Sequence, residues 1–177
     1  MAAIKPIGNN PIISVMDRVW KRNRFYVEKL NEGFYRGAEP DAKQIRELSK
    51  MGIKTILNLK SLTKAELANY AQIAEANGMR YINIPLNPFY IKKSYPHIME
   101  VLKAGSKENP TYIHCTFGKD RTGFVSALVN YFQNGVPMKE AIEDMTAHGC
   151  TSPIFSNLKR FLRKIAKQPA KPLDVKA

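Results

Sequence analysis

The sequence predicts an α/β fold: one domain with a central, mostly parallel, twisted sheet of four to five strands flanked by helices. Three observations lead there. Short runs rich in Ile, Leu and aromatic residues alternate with segments whose apolar residues recur at helical spacing. The length, 177 residues, suits one ordinary domain, and no internal repeat marks a second. Hydrophobic residues at 44% and charged residues at 24% can build a sizeable core and argue against wholesale disorder.

Residues 1–24 read as an N-terminal extension, because Pro6, Gly8, Asn9, Asn10 and Pro11 discourage regular structure. RVWKRNR (residues 18–24) reads as a basic amphipathic segment that docks its tryptophan on the domain or touches an anionic surface. FYVEKLNEGFYRGA then reads as strand, tight turn at Asn31-Glu32-Gly33, and strand. In EPDAKQIRELSKMG, Asp41 is the expected N-cap, Ile45, Leu48 and Met51 share a face, and Gly52 stops the helix. Ile53–Leu59 has the composition of a buried strand. The next helix opens with Thr63 and Glu66 in capping-box spacing and ends at Gly78. MRYINIPL is a further strand, followed by a loop over NPFYIKKSYP and a helix over YPHIMEVLKAG with Pro96 early in it. TYIHC is a short buried strand. TGFVSALVNYFQNG is a strongly apolar helix, and PMKEAIEDMTAHG and PIFSNLKRFLRKIAKQ are two more. Residues 169–177 read as a flexible tail.

Bulk chemistry narrows the function classes. No run approaches the ~18 apolar residues that span a bilayer. Two cysteines, Cys115 and Cys150, are too few for a disulfide framework. The first twenty residues make a poor signal peptide. The expectation from the sequence as given is a cytoplasmic protein, or a periplasmic one if an export signal has been removed. The surplus of 28 Lys+Arg over 15 Asp+Glu, a net charge of +13, favours anionic partners. Nucleic acid ranks last among them, for want of a reading motif or an aromatic platform.

The chemistry gathers in TYIHCTFGKDRTGF, residues 111–124. A strand delivers Cys115, a short loop follows, and Arg121 opens an apolar helix. The helix N-terminus offers partial positive charge and unpaired N–H groups. Loop amides, helped by Gly118 and Gly123, can curl into a nest for a phosphate-sized anion. The Arg121 fork can grip two phosphate oxygens, and the same field favours a thiolate at Cys115. A thiolate beneath a cradled phosphate is poised for in-line attack. Against this stand a plain turn around a buried cysteine, and a zinc site from His114, Cys115, His148 and Cys150. The zinc set is poorly spaced: His114 and Cys115 are adjacent, and only Gly149 separates the other pair.

Cys-x5-Arg followed by Thr and preceded by His resembles the signature loop of the cysteine-dependent protein tyrosine phosphatase superfamily. LNEGFYRGAEP, GIKTILNL and SPIFSNLKRFL are similar to its bacterial dual-specificity-like branch, of the phytase-like or inositol-phosphatase type. The resemblance implies a dual-specificity-phosphatase-like fold, with the phosphatase domain over residues 25–168. It implies Cys115 as nucleophile, Arg121 as the ligand of the phosphoryl oxygens, and amides from Thr116 through Phe117, Gly118 and Lys119 to Arg121 as the cradle. Thr122 would bond the sulfur, and His114 would order the loop. No metal or other cofactor is implied.

The family usually carries an acid on a loop upstream of the cysteine. Here the carboxylates between Asp41 and Asp120 are Glu47, Glu66, Glu75, Glu100 and Glu108, mostly on predicted helices. Three readings stay open. Asp120 is the favoured acid, since the myotubularin and Sac lipid phosphatases are similar in carrying DRT at this place. Otherwise Asp120 is structural, bonding loop amides or an arginine such as Arg36, or the leaving group needs little help. Lys119, with Lys92 and Lys93 on the loop expected to overhang the pocket, suits a substrate with several phosphates, and polyphosphorylated inositols are the favoured class. Phe89, Tyr90 and Phe117 could instead wall a phosphotyrosine ring. A third reading is a phosphate-binding module without turnover. RVWKRNR and LKRFLRKIAK are the stretches that could hold the chain at an anionic membrane.

Overall fold

The computed structural model describes residues 4–5 and 25–167, so RVWKRNR and the expected tail lie outside it. Among the described residues one sheet runs through the molecule in the order β1-β2-β3-β6-β4-β5. Its strands are β1 (Ile4–Lys5), β2 (Val27–Lys29), β3 (Phe34–Gly37), β4 (Thr55–Asn58), β5 (Arg80–Asn83) and β6 (Thr111–His114). Only the β2–β3 pair is antiparallel; every other pairing is parallel. The predicted architecture is therefore the observed one. The two-residue β1, which pairs Ile4 with Val27 and Lys5 with Glu28, is an edge that the sequence did not suggest.

Helices cover both faces. The strands alternate their side chains accordingly, with Ile56 and Tyr112 on one face and Leu57 and Ile113 on the other. The first face packs on α1 (Ala42–Lys50) and α2 (Lys64–Glu75) through Ile45, Leu48 and Ala74. Both helices start with complete capping boxes, Asp41 with Gln44 and Thr63 with Glu66. The other face packs on α3 (Ile91–Ala104), α4 (Asp120–Phe132), α5 (Met138–Ala147) and α6 (Ser156–Ala166). α4 is buried from Thr122 to Val129, as a helix apolar on all sides must be.

Two boundaries differ from expectation. PIF (Pro153–Phe155) forms a separate 3-10 turn ahead of α6. More consequentially, α3 begins at Ile91 rather than Tyr95, so Lys92 and Lys93 lie in its first turn and not on an overhanging loop. The helix absorbs Pro96 in its second turn at the loss of one backbone bond. The early start is held from outside, by Ser94 Oγ donating to the Pro85 carbonyl at 2.7 Å and by the Phe89 N–H on Asn87 Oδ1 at 2.8 Å.

Candidate active site

β6 lies between β3 and β4 and ends at His114. Cys115 is thus the first residue beyond a central parallel strand, at the sheet end where open α/β folds hold ligands. Residues 116–119 turn the chain, and α4 begins at Asp120. Its first turn carries Arg121 and the amides of a helix N-terminus, six residues beyond Cys115 in the chain.

The turn depends on Gly118, whose φ of +68° disfavours any side chain. A Cβ there would also fall inside van der Waals contact of Tyr26 Oη and the Gly37 carbonyl. The reason for this crowding is a clamp. The Gly118 carbonyl accepts from Tyr26 Oη and from Arg36 Nη2, both at 2.9 Å. A trans peptide directs its C=O and N–H to opposite sides. Pulling this carbonyl outward therefore turns the Lys119 N–H toward the inner, anion-facing side of the loop.

Arg36 is fully buried on β3. Its Nη1 lies 3.8 Å from Asp144 Oδ2 of α5. Asp144 also receives His148, whose Nδ1 lies 2.9 Å from its carbonyl, while His148 Nε2 lies 3.0 Å from Glu28 of β2. Burial and the Arg36 charge oppose protonation of His148, yet its bonds to Asp144 and Glu28 outweigh them and push its pKa up to about 9. Burial would raise both carboxyls, but bonding to His148 and the Arg36 charge hold Glu28 and Asp144 below their ordinary values. Two cations and two anions thus stand behind the loop. Both ring nitrogens of His148 are engaged, by Asp144 and by Glu28, rather than turned toward Cys115 or Cys150 as a zinc site would need. The structure also pairs Arg36 with Asp144, not with Asp120 as one expectation had it.

At the centre, Cys115 is 5% exposed. His114 is wholly buried, and burial lowers its pKa to about 4 despite its contact with the Cys115 carbonyl, with Nδ1 at 3.2 Å. A neutral ring in that position is a prop for the backbone. Thr122 Oγ1 is buried with no hydrogen-bond partner among the described residues. Arg121 is held from the side: its Nε donates to the Leu86 carbonyl at 3.0 Å, and its guanidinium carbon sits 5.7 Å from the Phe155 ring centre. That leaves both terminal nitrogens for a bidentate grip.

Asp120 lies in the electrostatic neighbourhood of the other cysteine. Burial raises its pKa, although the Cys150 thiol and the charges of Lys119 and Arg121 pull the other way. Cys150 itself is pushed up to about 12, first by burial and then by Asp120, so it stays an S–H donor. Asp120 Oδ1 is buried without a partner among the described residues. The aliphatic stem of Lys119 lies against Gly149, where a Cβ would come within 3.1 Å of it. Thr116 is half-buried and Phe117 is exposed at the rim. The loop residues thus lie between the end of β6 and the start of α4, while Lys92 and Lys93 stand on α3.

Sequence reasoning missed Tyr26, Glu28, Asp144 and Cys150 as parts of this site, and gave Arg36 and His148 other partners. One signal was available: an arginine within the buried run FYRGA needs a buried partner. The identity of that partner, 82 residues away, could not be read from spacing.

The model of the tyrosine phosphatase family matches residues 30–173. The chain belongs to that family. Among curated relatives of the same kind, the dual specificity protein phosphatase TpbA of Pseudomonas aeruginosa is 25% identical over 122 residues, covering 68% of this chain and 53% of TpbA. The chain thus spans about half the length of the curated relatives it matches. The crystal structure of P. aeruginosa TpbA superposes with a TM-score of 0.62 at 20% identity, over 78% of this chain and 83% of that one. The core catalytic domain of the Saccharomyces cerevisiae PP-IP phosphatase SIW14, in complex with citrate, gives 0.60 at 17% identity, over 77% and 83%. At these identities the structures attest the shared fold.

Proposed function

We propose that this member of the tyrosine phosphatase family is a phosphoric monoester hydrolase that works through a phosphocysteine intermediate and prefers polyphosphorylated inositols. The observation that carries the chemistry is Cys115 just beyond the end of β6 and one short loop ahead of α4, with Arg121 steadied by Leu86 and Phe155. In the first step the Cys115 thiolate attacks phosphorus and the bond to the ester oxygen breaks. Arg121 and the amides of residues 116–121 take up the charge on the phosphoryl oxygens, a role that a metal ion plays elsewhere. Asp120 gives its proton to the departing oxygen. In the second step its carboxylate takes a proton from water, the water oxygen attacks phosphorus, and the S–P bond breaks to release phosphate and restore the thiolate. Thr122 Oγ1, buried and without a hydrogen-bond partner among the described residues, would donate to that sulfur. His114 orders the loop.

The raised pKa of Asp120 supports its part as acid, since the protonated form then survives to higher pH. Asp120→Asn is expected to slow alkyl phosphates by roughly a hundredfold or more. Aryl phosphates, which leave more easily, should slow far less. The decline of the alkyl rate as pH rises through the Asp120 pKa should flatten in the variant. Equal slowing of both substrate classes would make Asp120 structural.

The inositol preference is supported by the net charge of +13 and by Lys119 within the loop, and by the likeness to SIW14, a PP-IP phosphatase. Phosphotyrosine is the second reading, favoured by Phe117 exposed at the rim and by TpbA having been crystallised with pTyr. A phosphate-release panel separates them. Inositol polyphosphates and pyrophosphates should turn over faster than phosphotyrosine peptides, and the reverse order overturns the preference. No release from any substrate, with phosphate analogues still bound, would instead indicate a binding module.

A further inference from the structure

A groove of about 470 Å³ runs beside the loop, between the start of α3 and the outer face of α6. Its walls continue the two segments that hold Arg121: the chain from Leu86 goes on into Pro88–Lys93, and the chain from Phe155 goes on into Asn157–Lys164. Pro88, Ile91 and Phe161 form an apolar floor. Every ionisable group on its rim with a full charge is a cation: Lys92, Lys93, Arg160 and Lys164. α6 itself carries no acidic residue. Phe89, Tyr90 and Ile154 stand out from this side of the molecule at 67%, 69% and 61% exposure, the most exposed large apolar side chains among the described residues.

We propose that this groove is a membrane-docking surface, whose occupant is a bilayer bearing anionic headgroups. Charge complementarity selects an anionic partner. The combination of projecting aromatics with long-stemmed cations selects a lipid interface: rings seat at headgroup depth, and Lys and Arg stems lie along apolar surface while their charges reach phosphate. An acidic peptide fits less well. The lining comes from a loop and two helix faces and offers no strand edge for backbone pairing. Docking in this way turns the mouth of the phosphate loop toward the headgroups. The surface does not depend on which ester the loop cleaves.

The test is co-sedimentation of the full chain with vesicles at physiological ionic strength. The unaltered protein should bind phosphatidylcholine vesicles doped with phosphatidylglycerol and not phosphatidylcholine alone. The double variant Arg160→Glu with Lys164→Glu should partition at least about tenfold more weakly. Its melting temperature and its p-nitrophenyl phosphate turnover should stay unchanged. Phe89→Ser with Tyr90→Ser should also weaken binding, through lost apolar contact. Lys43→Glu with Lys54→Glu makes the same charge change at exposed positions on the α1 side and should matter much less. Equal loss in that control would reduce the effect to overall charge and overturn the proposal. So would full binding by the Arg160/Lys164 variant, or binding of the unaltered protein to acidic phosphopeptides but not to vesicles. Vesicle binding is read separately from turnover, so a protein that docks without hydrolysing would sink the proposed activity and leave the docking surface standing.

Discussion

Replacing Cys115 with serine should lower turnover by roughly four orders of magnitude or more, while phosphate analogues still bind. The reasoning separates the two halves of the loop's work. Binding rests on the amides of residues 116–121, the Arg121 fork and the helix N-terminus, none of which needs sulfur. Bond exchange at phosphorus needs a nucleophile that is anionic at neutral pH, and a serine hydroxyl here lacks a partner to take its proton: His114 is buried, neutral and committed to the Cys115 carbonyl. Rapid-quench trapping in the unaltered protein should find phosphate bound through sulfur. The check is steady-state release beside vanadate titration of both proteins. Activity within tenfold of the original in Cys115→Ser would remove the covalent mechanism.

Arg36→Met should lower kcat/KM by about a hundredfold although Arg36 touches no reacting atom. Methionine fills much of the same volume but cannot hold the Gly118 carbonyl. The peptide at 118–119 is then free to rotate, and the Lys119 N–H leaves the anion-facing side. Asp144 and Glu28 also lose their buried countercharge and keep only His148, so stability should fall on the order of 3 kcal/mol. Tyr26→Phe removes the second bond to the same carbonyl without disturbing the charges, and should cost activity with a smaller loss of stability. Denaturant unfolding and vanadate affinity, measured on both variants, divide the structural loss from the loss of loop geometry. If Arg36→Met retained kcat/KM within threefold, the clamp would be a stabilising ion pair with no bearing on the loop.

Local signals carried much of the fold in the sequence. Asp41 and Thr63 cap the helices that their spacing announced, Ile53–Leu59 holds a strand buried on both faces, and the apolar run after Arg121 is the buried helix α4. The alternation of these elements was enough to foresee a parallel sheet. The reading failed where a tertiary contact overrode a local rule. Pro96 looked like a helix start, yet contacts from Ser94 and Asn87 extend α3 to Ile91. In the site, Cys115, Arg121 and their loop were legible because one contiguous motif contains them. The clamp was not, because Arg36, Gly118, Asp144 and His148 come from separate segments whose meeting is a property of the folded chain. Cys150 was passed over for the same reason: its proximity to Asp120 comes from a separate segment of the folded chain.

The span of those contacts bears on how the molecule is put together. Gly118 is joined to residues 82 and 92 positions before it, and Glu28 to a partner 120 positions after it. Contacts so distant in sequence close only after the intervening chain has largely collapsed. A nascent chain that has reached α4 already holds the whole Cys-x5-Arg motif, yet it lacks the helix that carries Asp144 and the turn that carries His148. The loop acquires its final tension only when α5 docks, so the capacity to bind phosphate tightly is a late product of folding and reports on completion of the whole domain.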